Sequence, residues 1–270
     1  MTSRLKYELT HQLNNQALAN DGYTRITGAF TQQEVAALVA ALEQVMFDTT
    51  NNDVCREVVE GKNYASGVDN LSRQAHPLFL KLNAHPIVQS LLQQIYPAEY
   101  TIVQDFAVTK MLGAFNKVNW HRDIHPERWN HNYMMGIYLH DSAEEEGALT
   151  IVPDSHNSWL DICELQKMSA VCIPMKAGDI LIHDMRLAHC SPPLTSWNKR
   201  YVVYLEIAAT AYALSTYGEL LVESRKLLNE FSKKANSGAY AELTPEQVAL
   251  VYNNQFRPLP SLYCFEQTAV

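Results

Sequence analysis

Two kinds of apolar spacing divide the chain. Thr31-Gln32-Gln33-Glu34 forms a capping box, and Val35, Leu38, Val39, Leu42, Val45 and Met46 follow at helical intervals. A second amphipathic helix is predicted over 86–96, with Ile87, Val88, Leu91, Leu92 and Ile95 on one face. Between them, 51–74 is polar, contains glycine and shows little periodicity, which fits either a surface loop or a substrate-covering lid. From Tyr100 the pattern changes to short β-branched or aromatic runs: TIVQDFAVTKML, YMMGIYLH, ALTIV, AVCIP, GDILIHD and YVVYLEIAA. Gly, Pro, Asn and Asp separate them, as expected for a sandwich or jelly roll rather than a βαβ repeat.

Beyond Ala209 helical spacing returns. One helix is predicted over 216–234 and a short one after Thr244-Pro-Glu-Gln247, with Pro at its first position. Leu220, Leu221, Leu227, Leu228 and Phe231 give the first an apolar stripe that must be buried. Phe256, Leu259, Leu262, Tyr263 and Phe265 lie further along, so the tail is expected to dock on its own barrel. The alternatives are a lid over the barrel mouth and a contact with another subunit. The chain reads as a single domain over 1–270, with a helical N-terminal part over 1–99, a barrel core over 100–209 and a helical extension over 210–270.

Composition narrows the function. The chain has 270 residues, 47% of them hydrophobic and 19% charged, as in an ordinary globular protein. A formal net charge of −8 and the absence of any basic run exclude a general nucleic-acid partner. No apolar stretch has the length of a signal-peptide core or a membrane span, so a cytoplasmic protein without a membrane partner is expected. The five cysteines, Cys55, Cys163, Cys172, Cys190 and Cys264, show no CxxC spacing and suit reduced thiols better than a disulfide framework or a zinc finger.

The chemistry concentrates in NWHRDIHPERWNHNYM, which holds His121, Asp123, His125 and His131. His121 and Asp123 are two apart at the end of a predicted strand, so both side chains lean to one face. An HxD alone is common by chance. Farther on, GDILIHDMRLAHCSPPLTSWNKRYVVYLEI brings His189 just before a Ser-Pro-Pro turn. Together the three make a 2-His-1-carboxylate set, which leaves coordination positions open and suits Fe(II) better than structural zinc. Arg200 opens the next strand, eleven residues past His189. Its planar fork can grip the far carboxylate of a 2-oxo dicarboxylate co-substrate, and Ser191 could share it.

These residues resemble the phytanoyl-CoA dioxygenase family of Fe(II)/2-oxoglutarate-dependent oxygenases. The likeness covers roughly 18–209, through NDGYTRITGAFTQQEV, HPIVQSLLQQIY, WHRD, EEEGALTIVPDSH and GDILIHDMRLAHCSPP to Arg200. It implies an all-β double-stranded β-helix (jelly roll, cupin-like) with flanking α-helices, α+β overall. It also implies Fe(II), 2-oxoglutarate and O2, with hydroxylation of a small organic substrate and release of succinate and CO2. The metal ligands would be His121, Asp123 and His189, with Arg200 and Ser191 on 2-oxoglutarate. Because Asp123 is present, the halide position of related halogenases is not expected.

The chain departs from the family pattern at Arg122, where Gln is common, at Asp154, where Gly is common, and at Cys190 after the distal His. Tyr138, Thr109 and Lys110 are candidate further contacts for 2-oxoglutarate. Arg122, Trp129 and Arg186 are candidates for the substrate, alongside Arg128, Trp120 and Tyr133. His125 and His131 are expected to turn away at Pro126. His140, His156 and His183 are expected to be structural, and Asp179 a turn residue. No Ser or Cys nucleophile accompanies Asp184 and His183, so a hydrolytic triad is unsupported. The rival readings are an inactive small-molecule binder and a cupin-like metalloenzyme without 2-oxoglutarate; Arg200 at its offset disfavours the second. Substrate identity and oligomeric state stay open.

Overall fold

The computed structural model describes residues 12–74, 77–114, 117–125, 132–237 and 262–263. Its core is a pair of antiparallel sheets. The larger has the strand order β1-β9-β6-β11-β4-β3-β2, formed by β1 (Tyr23–Ile26), β2 (Val54–Val59), β3 (Lys62–Asp69), β4 (Tyr100–Met111), β6 (Tyr133–Tyr138), β9 (Ile180–Asp184) and β11 (Lys199–Ala209). The smaller runs β12-β5-β10-β7-β8, from β5 (Val118–Arg122), β7 (Leu149–Ile151), β8 (Val171–Ile173), β10 (His189–Ser191) and β12 (Leu262–Tyr263). This is the expected jelly roll.

Strand parity sorts the large sheet into two faces. On β11, Tyr201, Val203, Leu205 and Ile207 join the main core, which also takes in Leu38, Leu42, Leu91 and Leu92. After α1 (Asn15–Asn20), those leucines belong to α2 (Gln32–Phe47) and α4 (Pro86–Ile95), the two helices predicted by spacing; α5 (Ile162–Leu165) is a single turn in the loop after β7. The Thr31 capping box is present in full. The alternate residue Val202 turns inward, where it packs with Tyr138, Leu149, Ile151 and Leu181 between the two sheets. Because both faces of β9 and β11 are buried, these strands read as continuous apolar runs rather than alternation.

The segment 51–74 is neither a loop nor a lid. It is a hairpin, β2–β3, that extends the large sheet through β3–β4 pairing. Glu60 and Gly61 both take positive φ at its turn (50° and 75°), a two-residue geometry that matches strand twist. β2 is the edge strand of the sheet, and the partly exposed positions of β2 and β3 explain their polar composition.

The described stretch 210–237 of the C-terminal extension docks on the barrel, but its helix is broken. Gly218, at φ 88°, separates α6 (Thr210–Tyr217) from α7 (Glu219–Asn236). Helix α7 packs on α3 (Pro77–Leu82) and β4. The buried stripe is Leu221, Val222, Leu228 and Phe231, while Leu220 is 66% exposed. Asp105 of β4 meets Arg225 of α7 in a buried pair, Oδ1 to Nη1 3.6 Å. The predicted helix after Thr244, and Phe256, Leu259 and Phe265, lie outside the described residues. Cys55, Cys172 and Cys190 are free thiols, whereas Cys163 is disulfide-bonded, which corrects the expectation of thiols throughout. No described helix is long and apolar enough to cross a membrane.

Candidate metal centre

The small sheet builds the centre. His121 near the end of β5 and His189 at the start of β10 are cross-strand partners, with ring centroids 4.1 Å apart. Each imidazole is tied at Nδ1 to a backbone carbonyl, His121 to Asn119 and His189 to Leu187, both at 2.9 Å. A proton on Nδ1 leaves Nε2 as a bare acceptor on the shared side. Asp123 follows just past β5, where its N–H donates to the Met185 carbonyl at 2.9 Å. Its Oδ1 lies 3.3 Å from His121 Nε2 and 3.8 Å from His189 Nε2. One atom from each of the three residues lies within 4.8 Å of the others, close enough to share one ion. Burial works against the Asp123 charge, but the facing His189, His121 and His183 hold its carboxyl well below the usual range. Burial, reinforced by His121, pushes His189 down to about 3, so its imidazole stays neutral and able to ligate.

The centre opens into a cavity of about 110 Å³. Lys110, Ser191 and Arg200 line it together with Phe106, Met134 and Tyr204. Arg200 and Lys110 are cross-strand partners, each 1% exposed. Nε and Nη2 of Arg200 are buried without a hydrogen-bond partner. Its guanidinium lies 5.2 Å from the Tyr138 ring centroid, so Tyr138 backs the arginine. Lys110 Nζ donates to the Ser191 and Pro192 carbonyls at 3.1 and 2.5 Å. Burial, with the Arg200 charge beside it, pushes Lys110 down to about 7. The Ser191 hydroxyl donates to the Gly147 carbonyl at 2.8 Å. Gly147 has φ 76°, and a Cβ there would sit 3.1 Å from Lys110 Cδ and 3.3 Å from Arg200 Cδ, so glycine is needed on both counts.

Several sequence candidates lie elsewhere. Thr109 is on the face opposite Lys110 and donates to the Ala65 carbonyl at 2.6 Å, so it is not beside the cavity. Arg122 sits between two inward-facing residues and therefore points out. Its guanidinium donates to the carbonyls of Ser155, Ser158 and Leu160, fastening the loop after β7. Arg186 pairs bidentately with Asp184 at 3.0 and 2.9 Å and does not line the cavity. Trp129, Arg128 and His131 are outside the described residues. His125 is exposed. His140 accepts from the Tyr201 N–H and His156 bonds the Ala19 carbonyl, both structural roles. Asp179 holds its turn through Arg25, Gly28 and Lys176. Asp154 adopts φ 63° itself, so the loop keeps a left-handed residue where the family has glycine. His183 is the residue that sequence reasoning misplaced: it lines the cavity, with Nε2 3.4 Å from Asp123 Oδ2.

Glu206, two residues past Tyr204 on the inward parity of β11, is buried opposite Gln104 and Met134 and accepts from the Tyr217 hydroxyl at 2.9 Å. Burial, with Asp123 adding to it, pushes Glu206 up to about 7 against the pull of Tyr217 and Arg225. Below about pH 4.3 the carboxyl is neutral in folded and unfolded chains alike. From there to about 7 the folded protein keeps a proton that the unfolded chain has released, so stability falls as pH rises and stays lower above that window. Glu206→Gln should therefore stabilise the metal-free protein at pH 8 by on the order of 2 kcal/mol and leave it little changed at pH 4. Thermal melts across that range check this; parallel curves for the two proteins would contradict it.

A jelly roll whose cavity gathers a His-x-Asp and a distal His, with Arg200 and Lys110 in the same lining, has a donor set that could hold one metal ion. The chain belongs to the phytanoyl-CoA dioxygenase family, whose sequence model matches residues 18–202. The ectoine dioxygenase of Bordetella parapertussis is 26% identical over 153 residues, 54% of this chain and 49% of that protein. The chain thus spans about half the length of the curated relative it matches. Among solved structures, AviO1 from Streptomyces viridochromogenes Tue57 has a TM-score of 0.65 at 22% identity, covering 77% of this chain and 96% of that one. EctD from S. alaskensis, solved with 2-oxoglutarate and 5-hydroxyectoine, has a TM-score of 0.64 at 20% identity, covering 74% and 77%. Both share the fold.

Proposed function

We propose that this protein is an Fe(II)/2-oxoglutarate-dependent oxygenase that hydroxylates a small organic substrate. The observation that carries the reading is Arg200, a buried guanidinium with partnerless Nε and Nη2 in the same cavity as His121, Asp123 and His189. Two unsatisfied donors on a buried cation are costly, and a carboxylate supplied by a ligand satisfies them. The donor set fits the ion as well: two imidazoles presenting Nε2 and one carboxylate, with no thiolate, suit Fe(II) and leave positions for the co-substrate and oxygen. When bound, iron and O2 would supply decarboxylation of 2-oxoglutarate to succinate and CO2, coupled to oxidation of a substrate C–H bond.

The residues divide that work by position. His121, Asp123 and His189 hold the ion. Arg200 takes the far carboxylate of 2-oxoglutarate bidentately, and Lys110 beside it adds a second charge once protonated. Tyr138 stiffens Arg200, and the Ser191–Gly147 contact shapes the wall below it. Phe106 and Met134 add apolar surface to the lining, which excludes water and receives the substrate. The name of the ectoine dioxygenase and the 5-hydroxyectoine held in the EctD structure support a small-molecule substrate for this chain too.

Anaerobic addition of Fe(II) and 2-oxoglutarate should produce a weak visible charge-transfer band; its absence would remove the co-substrate from the reading. Arg200→Lys keeps the charge but loses the planar fork. We expect 2-oxoglutarate affinity to fall by about 1.5–3 kcal/mol, roughly 10- to 100-fold, while Fe(II) affinity is retained. Unchanged 2-oxoglutarate dependence would place the clamp on another residue.

A further inference from the structure

His183 stands at the centre without being one of its three grouped ligands. It is on the inward parity of β9, with a side chain only 3% exposed and a ring centroid 4.9 Å from that of His189. The Asp123 carboxylate is shared between two sides. Oδ1 faces His121 and His189, at 3.3 and 3.8 Å, while Oδ2 faces His183 Nε2 at 3.4 Å. His121 and His189 each spend their Nδ1 proton on a backbone carbonyl, so each offers Nε2 as a lone pair. His183 differs: its Nδ1 is buried and has no partner. His121 has its proton drawn to the Asn119 carbonyl and faces Oδ1 across the place an ion would fill, whereas His183 has no carbonyl at Nδ1 and lies outside the ligand group, so its proton belongs on Nε2, toward Oδ2.

We infer that His183 is a positioning residue whose Nε2–H holds Asp123 Oδ2, so that the carboxylate meets the ion through Oδ1 alone. This rests on the proposed iron site. The consequence is a matter of coordination positions. A carboxylate free to swing can bind through both oxygens and take a position needed by 2-oxoglutarate or oxygen. One tethered by a neighbouring donor cannot. Partners of this kind also set ligand basicity and orientation. The three imidazoles thus divide by tautomer into two ligands and one donor.

The test uses metal-free protein titrated anaerobically with Fe(II), and with Co(II), whose visible bands report coordination number. His183→Leu removes the donor. His183→Gln can place an amide N–H near the former Nε2. The Leu variant should bind Fe(II) about 10-fold more weakly and show an altered Co(II) spectrum, and the Gln variant should restore both. Three results would overturn the proposal: a Leu variant identical to wild type, a Leu variant that loses metal as completely as His121→Ala, or a Gln variant no better than Leu. The second would make His183 a ligand, and the third would leave it a space filler. If thermal melts show the Leu variant unfolded, His183→Met fills the space without donating and takes its place in the comparison. A wild-type protein that bound neither ion would instead overturn the iron site itself, so the two failures are distinguishable.

Discussion

Alanine in place of His121, Asp123 or His189 is expected to abolish iron-dependent turnover in each case while the barrel stays folded. A site with three protein ligands has no spare, and losing one leaves two donors for an ion that must also carry the co-substrate. The scaffold does not depend on these side chains: β5 and β10 are held by backbone pairing at His121 and His189, and the Asp123 N–H bonds the Met185 carbonyl whatever its side chain. Succinate production, Fe(II) binding by dialysis and a thermal melt separate the outcomes. A variant that keeps near wild-type succinate production would show that its side chain is not a ligand.

The second large effect concerns the fold. Arg225→Met should destabilise the protein by about 3–5 kcal/mol, because it strands the Asp105 carboxylate. Asp105 is 1% exposed, and its Oδ2 is occupied by the Ser72 N–H and the Asn83 amide, each at 3.1 Å. Those bonds do not replace a counter-charge. A melting temperature lower by roughly 10 °C is expected, with α7 loosened from β4. The double variant Asp105→Asn/Arg225→Met should recover much of the loss, since a neutral amide needs no counter-charge and its oxygen still accepts from Ser72 and Asn83. Equal losses in the single and double variants would mean that the stranded Asp105 charge is not the cause.

Much of the centre was legible from spacing. His121 and Asp123 share a face by parity, and His189 and Arg200 follow at offsets that bring them to one cavity. What went astray was facing. Arg122 lies between two inward residues, so the parity that selects the ligands excludes it. Thr109 is excluded by the same rule once Lys110 faces Arg200 across β4 and β11. His183 was hidden for a different reason. The run ILIHD is buried on both faces, so no polar alternation marks which residues look inward. The signal available was its pairing with Leu181, two positions earlier, which packs between the sheets. The hairpin over 51–74 escaped because edge strands keep polar outer faces, and its cue was the Glu60-Gly61 turn. Arg186 could have been read as the i+2 partner of Asp184 in a tight turn.

The pairing of His121 with His189 across β5 and β10 has a consequence for metal identity. Main-chain bonds set the spacing of the two imidazoles before any ion arrives, so the apoprotein presents a finished pair of nitrogen donors. A preset pair of this kind ranks ions by intrinsic preference, and that ranking favours copper and zinc over ferrous iron. If the centre holds Fe(II) as proposed, mis-metallation is the resting hazard of this scaffold. Preparations stripped by chelator and reloaded under argon should differ sharply in activity from material purified in air, and which ion the protein carries will follow what its surroundings supply.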